Sequence, residues 1–312
     1  MNSNLDIICI GESLIELSTN ESLTYASSLN KYYGGDTISA AVAASRLGSK
    51  VGYISRVGND YFKDFLLDSW QAEDIDISYV KLVEGFNGLY FISRRENGEK
   101  EFAYYRKKSA ATNLSVDDIN PEYIKNAQIV YSTGITQSLS ITAKEAVKKA
   151  FELAKENENL VAYDPNFVSR LWDIEEAKEA FEEVVEYVDI ILLNSKHDAE
   201  KLFGISSPDK IIKSLWDRGI PTVVVKQGAE GTVIGYNGEI ISIPACASKI
   251  VDTTGSGDAF NGGFLHGIAS GLTPFESAQL ALEVACFQVQ GIGAINSIPT
   301  KEQIYSVFKH GE

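Results

Sequence analysis

The chain has 312 residues, enough for one large α/β domain or two ordinary ones, and its 44% hydrophobic and 23% charged residues permit a substantial core. A net charge of −15 repels phosphate backbones, so nucleic acid is not an expected partner, and an anionic substrate needs a locally positive pocket. No apolar run reaches about 18 residues and no basic, apolar leader opens the chain, so no membrane span or signal peptide is expected and a reducing cytoplasm fits. Cys9, Cys246 and Cys286 lack C-x-x-C spacing. They read as neither a zinc site nor a disulfide framework, and Cys9 and Cys286 are expected as core thiols.

After a short free end at 1–4, the apolar run 6–11 predicts a buried strand. An Ala-rich helix over 37–47 stops at Gly48, and a strand over 51–57 and a helix over 61–71 follow. The alternation continues with strands over 127–132, 160–163, 188–193 and 222–226. Helices are expected over 141–155, 174–186, 197–203 and 208–218. Repeated strand–helix units imply a parallel sheet covered on both faces. Two stretches break the rhythm. Residues 14–33 are polar without helical period, and 87–106 alternate in strand fashion about a turn at 96–99. They are expected either as a small separate β-sheet or as ordinary surface hairpins. Another hairpin is expected over 233–243, with Asn237-Gly238 at its tip.

The strongest local signal is Asp252-Thr253-Thr254-Gly255-Ser256-Gly257-Asp258, running into an apolar, helix-like stretch. Successive N–H groups of such a turn, with the helix N-terminus behind them, make an anion site. A carboxylate at Asp258 could take a proton from a hydroxyl while the turn holds developing negative charge. Read locally, the same residues also suit a tight turn with an Asp capping a helix. The segment is neither a Walker A loop nor G-x-G-x-x-G.

The string DTTGSGDAFNGGFL resembles the C-terminal signature of the PfkB, or ribokinase-like, carbohydrate kinases. The segment Tyr33-Gly34-Gly35-Asp36, continuing through Ser39, Arg46-Leu47-Gly48 and Gly58-Asn59-Asp60, is similar to their N-terminal signature. The resemblance covers essentially the whole chain. It implies a three-layer α/β/α sandwich with a mostly parallel central sheet and a small β-sheet lid. The main domain would span 1–13, 35–85 and 108–312, and the lid 14–34 and 86–107. It implies ATP and Mg²⁺ as cofactors, with a K⁺ site at Asp252 and Thr254 as a further option. Asp258 would be the base, and Gly255, Ser256 and Gly257 the anion hole. Gly34, Gly35 and Asp36 would meet the sugar. Nucleotide contacts would come from Asn166, Ser195, Lys226, Gly228, Gly231, Gly255 and Gly257, with Gly291–Ala294 near the purine. Asp198 would order metal-bound water. The lid could also pair two subunits.

Within the family, Tyr104–Ala111, Gly134–Thr136 and Asp164-Pro165-Asn166 resemble the 2-keto-3-deoxygluconate kinases. That implies a sugar acid phosphorylated at its primary hydroxyl. Tyr90 and Tyr104 would cover the sugar, and Arg106 and Arg170 would serve its carboxylate. Three departures leave a neutral-sugar kinase open. Val168 stands where the subfamily has arginine, Ser39 where the signature has asparagine, and the N-x-x-E motif aligns only as Ser195 and Asp198, with Asn194 one place early. A catalytically inactive sugar-binding regulator is a further option, against which the intact GSGD stands.

Overall fold

The computed structural model describes residues 5–95, 100–246 and 249–309. The free end expected at 1–4 and the turn expected at 96–99 lie outside them. Nine strands form the main sheet: β1 (Leu5–Ile10), β4 (Val51–Gly58), β5 (Val80–Val83), β8 (Ala127–Thr133), β9 (Leu160–Asp164), β10 (Ile190–Asn194), β11 (Thr222–Lys226), β12 (Thr232–Tyr236) and β13 (Glu239–Ile243). Their order is β13-β12-β11-β10-β9-β8-β1-β4-β5. The seven strands from β11 to β5 pair in parallel, and β12 and β13 add an antiparallel hairpin at one edge. Asn237 and Gly238 both have positive φ at its tip, which suits a hairpin turn between twisted strands.

Both faces are covered, as the uninterrupted apolar strands require. Ile190, Leu192 and Val224 point into a core shared with the helices Asp36–Leu47, Ser256–Ala269 and Pro274–Gln288. Their neighbours Ile191, Leu193, Val223 and Val225 point into a second core beneath the helices Ile141–Glu156 and Pro208–Trp216. Each such buried aliphatic side chain contributes roughly 1.5–3 kcal/mol relative to exposure. Local chemistry fixes the helix starts. Ser140 caps Ile141–Glu156 through the Ala143 N–H, and Thr273 with Glu276 forms a capping box ahead of Pro274.

The two stretches that broke the rhythm form one four-stranded sheet apart from the main one. Its strands are β2 (Leu14–Thr19), β3 (Asn30–Gly34), β6 (Leu89–Arg94) and β7 (Lys100–Tyr105), in the order β3-β2-β6-β7. The central pair β2–β6 is parallel, although each strand also has an antiparallel neighbour.

Candidate active site

In open parallel sheets, ligands bind beyond the carboxyl ends of the strands, where the strand order reverses. Here the reversal falls between β1 and β8. Glu12 follows β1, Thr133 ends β8, and Asp36 opens a helix beside them. The Thr133 hydroxyl donates to Asp36 at 2.5 Å, and both side chains are buried. Gly35, with φ 140°, stands at the helix entry. Gly34 faces Tyr90, whose hydroxyl would lie 2.8 Å from a Cβ added there.

A cavity of about 770 Å³ runs along the carboxyl ends of β9, β10 and β11. Asn166, Asp198, Lys226, Gly228 and Gly231 line it together with Ser256, Gly257, Asp258 and Arg170. Lys201, Lys226 and Arg170 reach this cavity together with Asp164, Asp198 and Asp258, so its cations balance its carboxylates. Gly255 is the cap of the helix Ser256–Ala269 and adopts the left-handed conformation, φ 79°. A Cβ there would also meet the Ala294 Cβ at 2.8 Å, so glycine is required on both counts. The turn places the N–H groups of Gly255 and Gly257 at the positive end of the helix, with Asp258 in its first turn, while the Ser256 N–H donates to the Thr253 carbonyl at 3.3 Å.

Asp258 lies partly buried. Desolvation and then the Asp36 charge raise its pKa well above the carboxylate range, with Lys226 pulling the other way and Asp164 adding to the rise. Beneath it, Lys226 Nζ donates to Asp164 at 2.7 Å and to Asn261 at 2.9 Å. Asn261 in turn donates to Asp164 at 2.6 Å and to the Tyr131 hydroxyl at 2.9 Å. Lys226 Nζ would sit 3.9 Å from a Cβ on Gly257, so its charge underlies the anion-binding turn itself.

Some expected residues are engaged elsewhere. Arg106 pairs with Glu12 at 2.5 Å, and Ser109 donates to the other Glu12 oxygen at 2.9 Å. Arg106 thus neutralises a buried carboxylate. Arg170 has its guanidinium over the Tyr104 ring, 5.0 Å from the centroid. The Tyr90 hydroxyl donates to Glu16, and its ring stacks on Tyr104 at 5.5 Å. Ser39 is buried with an unbonded hydroxyl. Asp252 is held by Arg94 and Lys100.

The shifted N-x-x-E motif has a structural cause. Ser195–Leu202 is a π-helix, whose wider turn absorbs one extra residue. Asn194 and Asp198, four apart, therefore work together: Asp198 accepts the Asn194 N–H at 2.6 Å and the Phe167 N–H at 2.8 Å. Asn194 lines the cavity and Ser195 does not. Burial, then the Asp164 charge, pushes Asp198 up to about 7 against those two N–H groups and Lys226.

The cysteine expectation needs correction. Cys9 is a buried free thiol, but Cys246 and Cys286 are disulfide-bonded. Their 40-residue separation hid a contact between Cys246, just past β13, and the helix Pro274–Gln288. Reading the sequence also missed Glu12, Arg94, Lys100, Thr133, Asp164 and Asn261. Asp164 and Lys226 carried a usable signal, each closing an apolar strand of the parallel sheet.

A three-layer α/β chain with a half-buried carboxylate at an anion-binding helix start has the build of a phosphotransferase. Residues 4–301 match the profile of the pfkB family carbohydrate kinases, and the chain belongs to that family. It is a phosphotransferase acting on an alcohol group. It is 31% identical over 311 residues to a 2-dehydro-3-deoxygluconokinase of Thermoproteus tenax, covering 98% of this chain and 94% of that protein. It is 30% identical over 316 residues to a 5-dehydro-2-deoxygluconokinase of Clostridium beijerinckii, covering 98% and 93%. Among solved structures, a putative ribokinase II from E. coli in complex with ATP and Mg²⁺ superposes with a TM-score of 0.90. That pair is 25% identical, covering 98% of this chain and 99% of the other. Among the described residues no helix is long and apolar enough to cross a membrane.

Proposed function

We propose that the chain transfers the γ-phosphoryl group of ATP to the primary hydroxyl of 2-keto-3-deoxygluconate, the 2-dehydro-3-deoxygluconate of its relatives' names, giving the 6-phosphate. The observation that carries this is the placement of Asp258 with Ser256 and Gly257 of the helix start in one cavity with Lys226 and Arg170. Asp258 takes the proton of the sugar hydroxyl, whose oxygen attacks the γ-phosphorus. The bond to ADP breaks, and the 255–257 amides stabilise the charge on the transferring group. Lys226, fixed by Asp164 and Asn261, adds positive charge under that turn.

ATP would occupy the cavity beside Asn166, Asn194, Gly228 and Gly231. Mg²⁺ favours phosphate oxygens and water, and the cavity carboxylates Asp164 and Asp198 fit its outer shell. Bound there, it neutralises phosphate charge. A monovalent cation at Asp252 and Thr254 would have to displace Lys100 and Arg94. The four-stranded sheet is assigned as the lid over the sugar, with Tyr90 and Tyr104 beneath it. Phe102 and Tyr105, partly exposed on its edge strand, support pairing of two copies through that sheet. An ATP-consuming sugar kinase belongs in the cytoplasm, where ATP is kept.

The substrate acid is assigned to Arg170, since Arg106 is already committed to Glu12. A charge-assisted contact is worth about 1.5–3 kcal/mol. Arg170→Ala should therefore raise KM for 2-keto-3-deoxygluconate roughly 10- to 100-fold and change a neutral sugar little. The deciding experiment is an ADP-coupled assay of the wild-type chain with 2-keto-3-deoxygluconate, fructose and ribose. The highest kcat/KM should fall on the acid. Preference for fructose or ribose makes it a neutral-sugar kinase, and no turnover of any sugar makes it a binding protein.

A further inference from the structure

Asp252 opens the anion-binding turn, and its carboxylate is about 1% exposed. One oxygen accepts from Lys100 Nζ at 2.6 Å, from the Thr254 N–H at 2.9 Å and from the Thr254 hydroxyl at 2.6 Å. The other accepts from Arg94 Nε at 2.7 Å and from the Gly293 N–H at 3.1 Å. The far side of the Arg94 guanidinium bonds Glu16 at 3.1 Å and Ser18 at 2.7 Å. Two carboxylates and two cations thus balance in one cluster, and the charge of Asp252 is held far below its ordinary titration range. Burial alone would have raised it, but Lys100, Thr254 and Gly293 outweigh burial.

The other side of the same turn is closed by a neutral donor. The carbonyls of Thr254 and Gly293 and the Ser297 hydroxyl converge on the side-chain nitrogen of Gln288, at 2.7, 3.3 and 3.3 Å. Gln288 is fully buried. A gathering of one carboxylate, two carbonyls and two hydroxyls is what a bound cation would otherwise hold together. Here an ammonium, a guanidinium and an amide fill those positions. One more positive charge would enter a balanced, buried cluster uncompensated, which is costly.

We infer that Arg94, Lys100 and Gln288 are the fixed counter-donors of the anion-binding turn, so that phosphoryl transfer by this chain requires no monovalent cation. The inference rests on the proposed role of the 255–257 amides. Arg94, Lys100 and Gln288 are positioning residues: they touch Asp252, Thr254 and Gly293, and through these set the turn that faces the phosphate. Because Arg94 and Lys100 belong to β6 and β7, the charged half of this pinning depends on the small sheet being seated on the turn, while Gln288 holds it from the main domain. Acceptor-side closure and phosphate-side geometry are thereby one event.

The test compares K⁺, Na⁺ and choline as the only monovalent cation at constant ionic strength, with Mg²⁺ and ATP present. Turnover of the best sugar and the melting temperature are both read. For the wild type, kcat should agree within about twofold across the three salts, and K⁺ should give no specific rise in Tm. Lys100→Met should lose at least tenfold in kcat in choline with a nearly unchanged sugar KM. K⁺ should restore part of that loss, because the vacated ammonium position leaves Asp252 and Thr254 oxygens for it. Lys100→Arg should retain most activity. Many-fold activation of the wild type by K⁺, or a K⁺-specific rise in its Tm, overturns the inference. So does a Lys100→Met enzyme with unchanged kcat. A loss that K⁺ does not repair and that matches a fall in Tm overturns it too, leaving Lys100 a structural residue. If no sugar is turned over, the proposed function fails, while the Tm arm still decides the cation question.

Discussion

Asp258 shares its surroundings with Asp36, Asp164 and Lys226, and burial first, then these charges, set the pH range in which it ionises. The proton acceptor must be ionised, and its pKa is raised, so turnover should fall as pH drops through a value above the usual carboxylate range. Asp36→Asn removes a charge that raises it, so the acid limb of the kcat profile should move to lower pH. Lys226→Met removes the charge that lowers it, and the limb should move to higher pH. Breaking the buried Lys226–Asp164 pair also costs about 3–5 kcal/mol, so that profile is measured well below the variant's melting temperature. Coincident profiles in all three enzymes would remove Asp258 from the proton step.

At the scale of elements, the helix Ser256–Ala269 carries Asp258 and packs directly on the helix Asp36–Leu47, which carries Asp36. Gly262 makes that approach possible: a Cβ there would lie 2.6 Å from the Ala43 Cβ. Gly262→Val should overpack the contact by about 1–3 kcal/mol. A thermal melt should show Tm lowered by several degrees, and kcat should fall as the two carboxylates separate. An unchanged Tm would mean the helices do not meet as closely as described. Elements of this kind were readable from sequence, because caps, periodicity and glycine stops act within a few residues. The strand β5 escaped for want of a pattern, with only four half-exposed residues. The π-helix escaped because one inserted residue looks like a misaligned motif until the Asp198–Asn194 bond is seen. The small sheet was readable as strands, but its parallel β2–β6 pair was not, since about 70 residues lie between the partners.

For the whole molecule, the sheet order brings three sources of chemistry to one end: the β1/β8 reversal, the ends of β9 to β11, and the start of the helix Ser256–Ala269. In a chain of net charge −15, three cationic side chains thereby gather in the cavity beside its three aspartates. The two motif strings made the fold class and the phosphate turn legible. The links between the turn and the small sheet were not, because Arg94 lies 158 residues from Asp252 and looks like an ordinary surface charge in its own context. The same blindness hid the pairing of Arg106 with Glu12, on which the proposed assignment of the substrate acid to Arg170 rests. The central claim is that Asp258 is the base of a phosphoryl transfer. It is tested most directly by Asp258→Asn, with kcat from the coupled assay and ATP and sugar affinities from calorimetry on the same sample. The account predicts a fall in kcat of about 10²- to 10⁴-fold with both affinities kept. A variant that phosphorylates its sugar at the wild-type rate would contradict it.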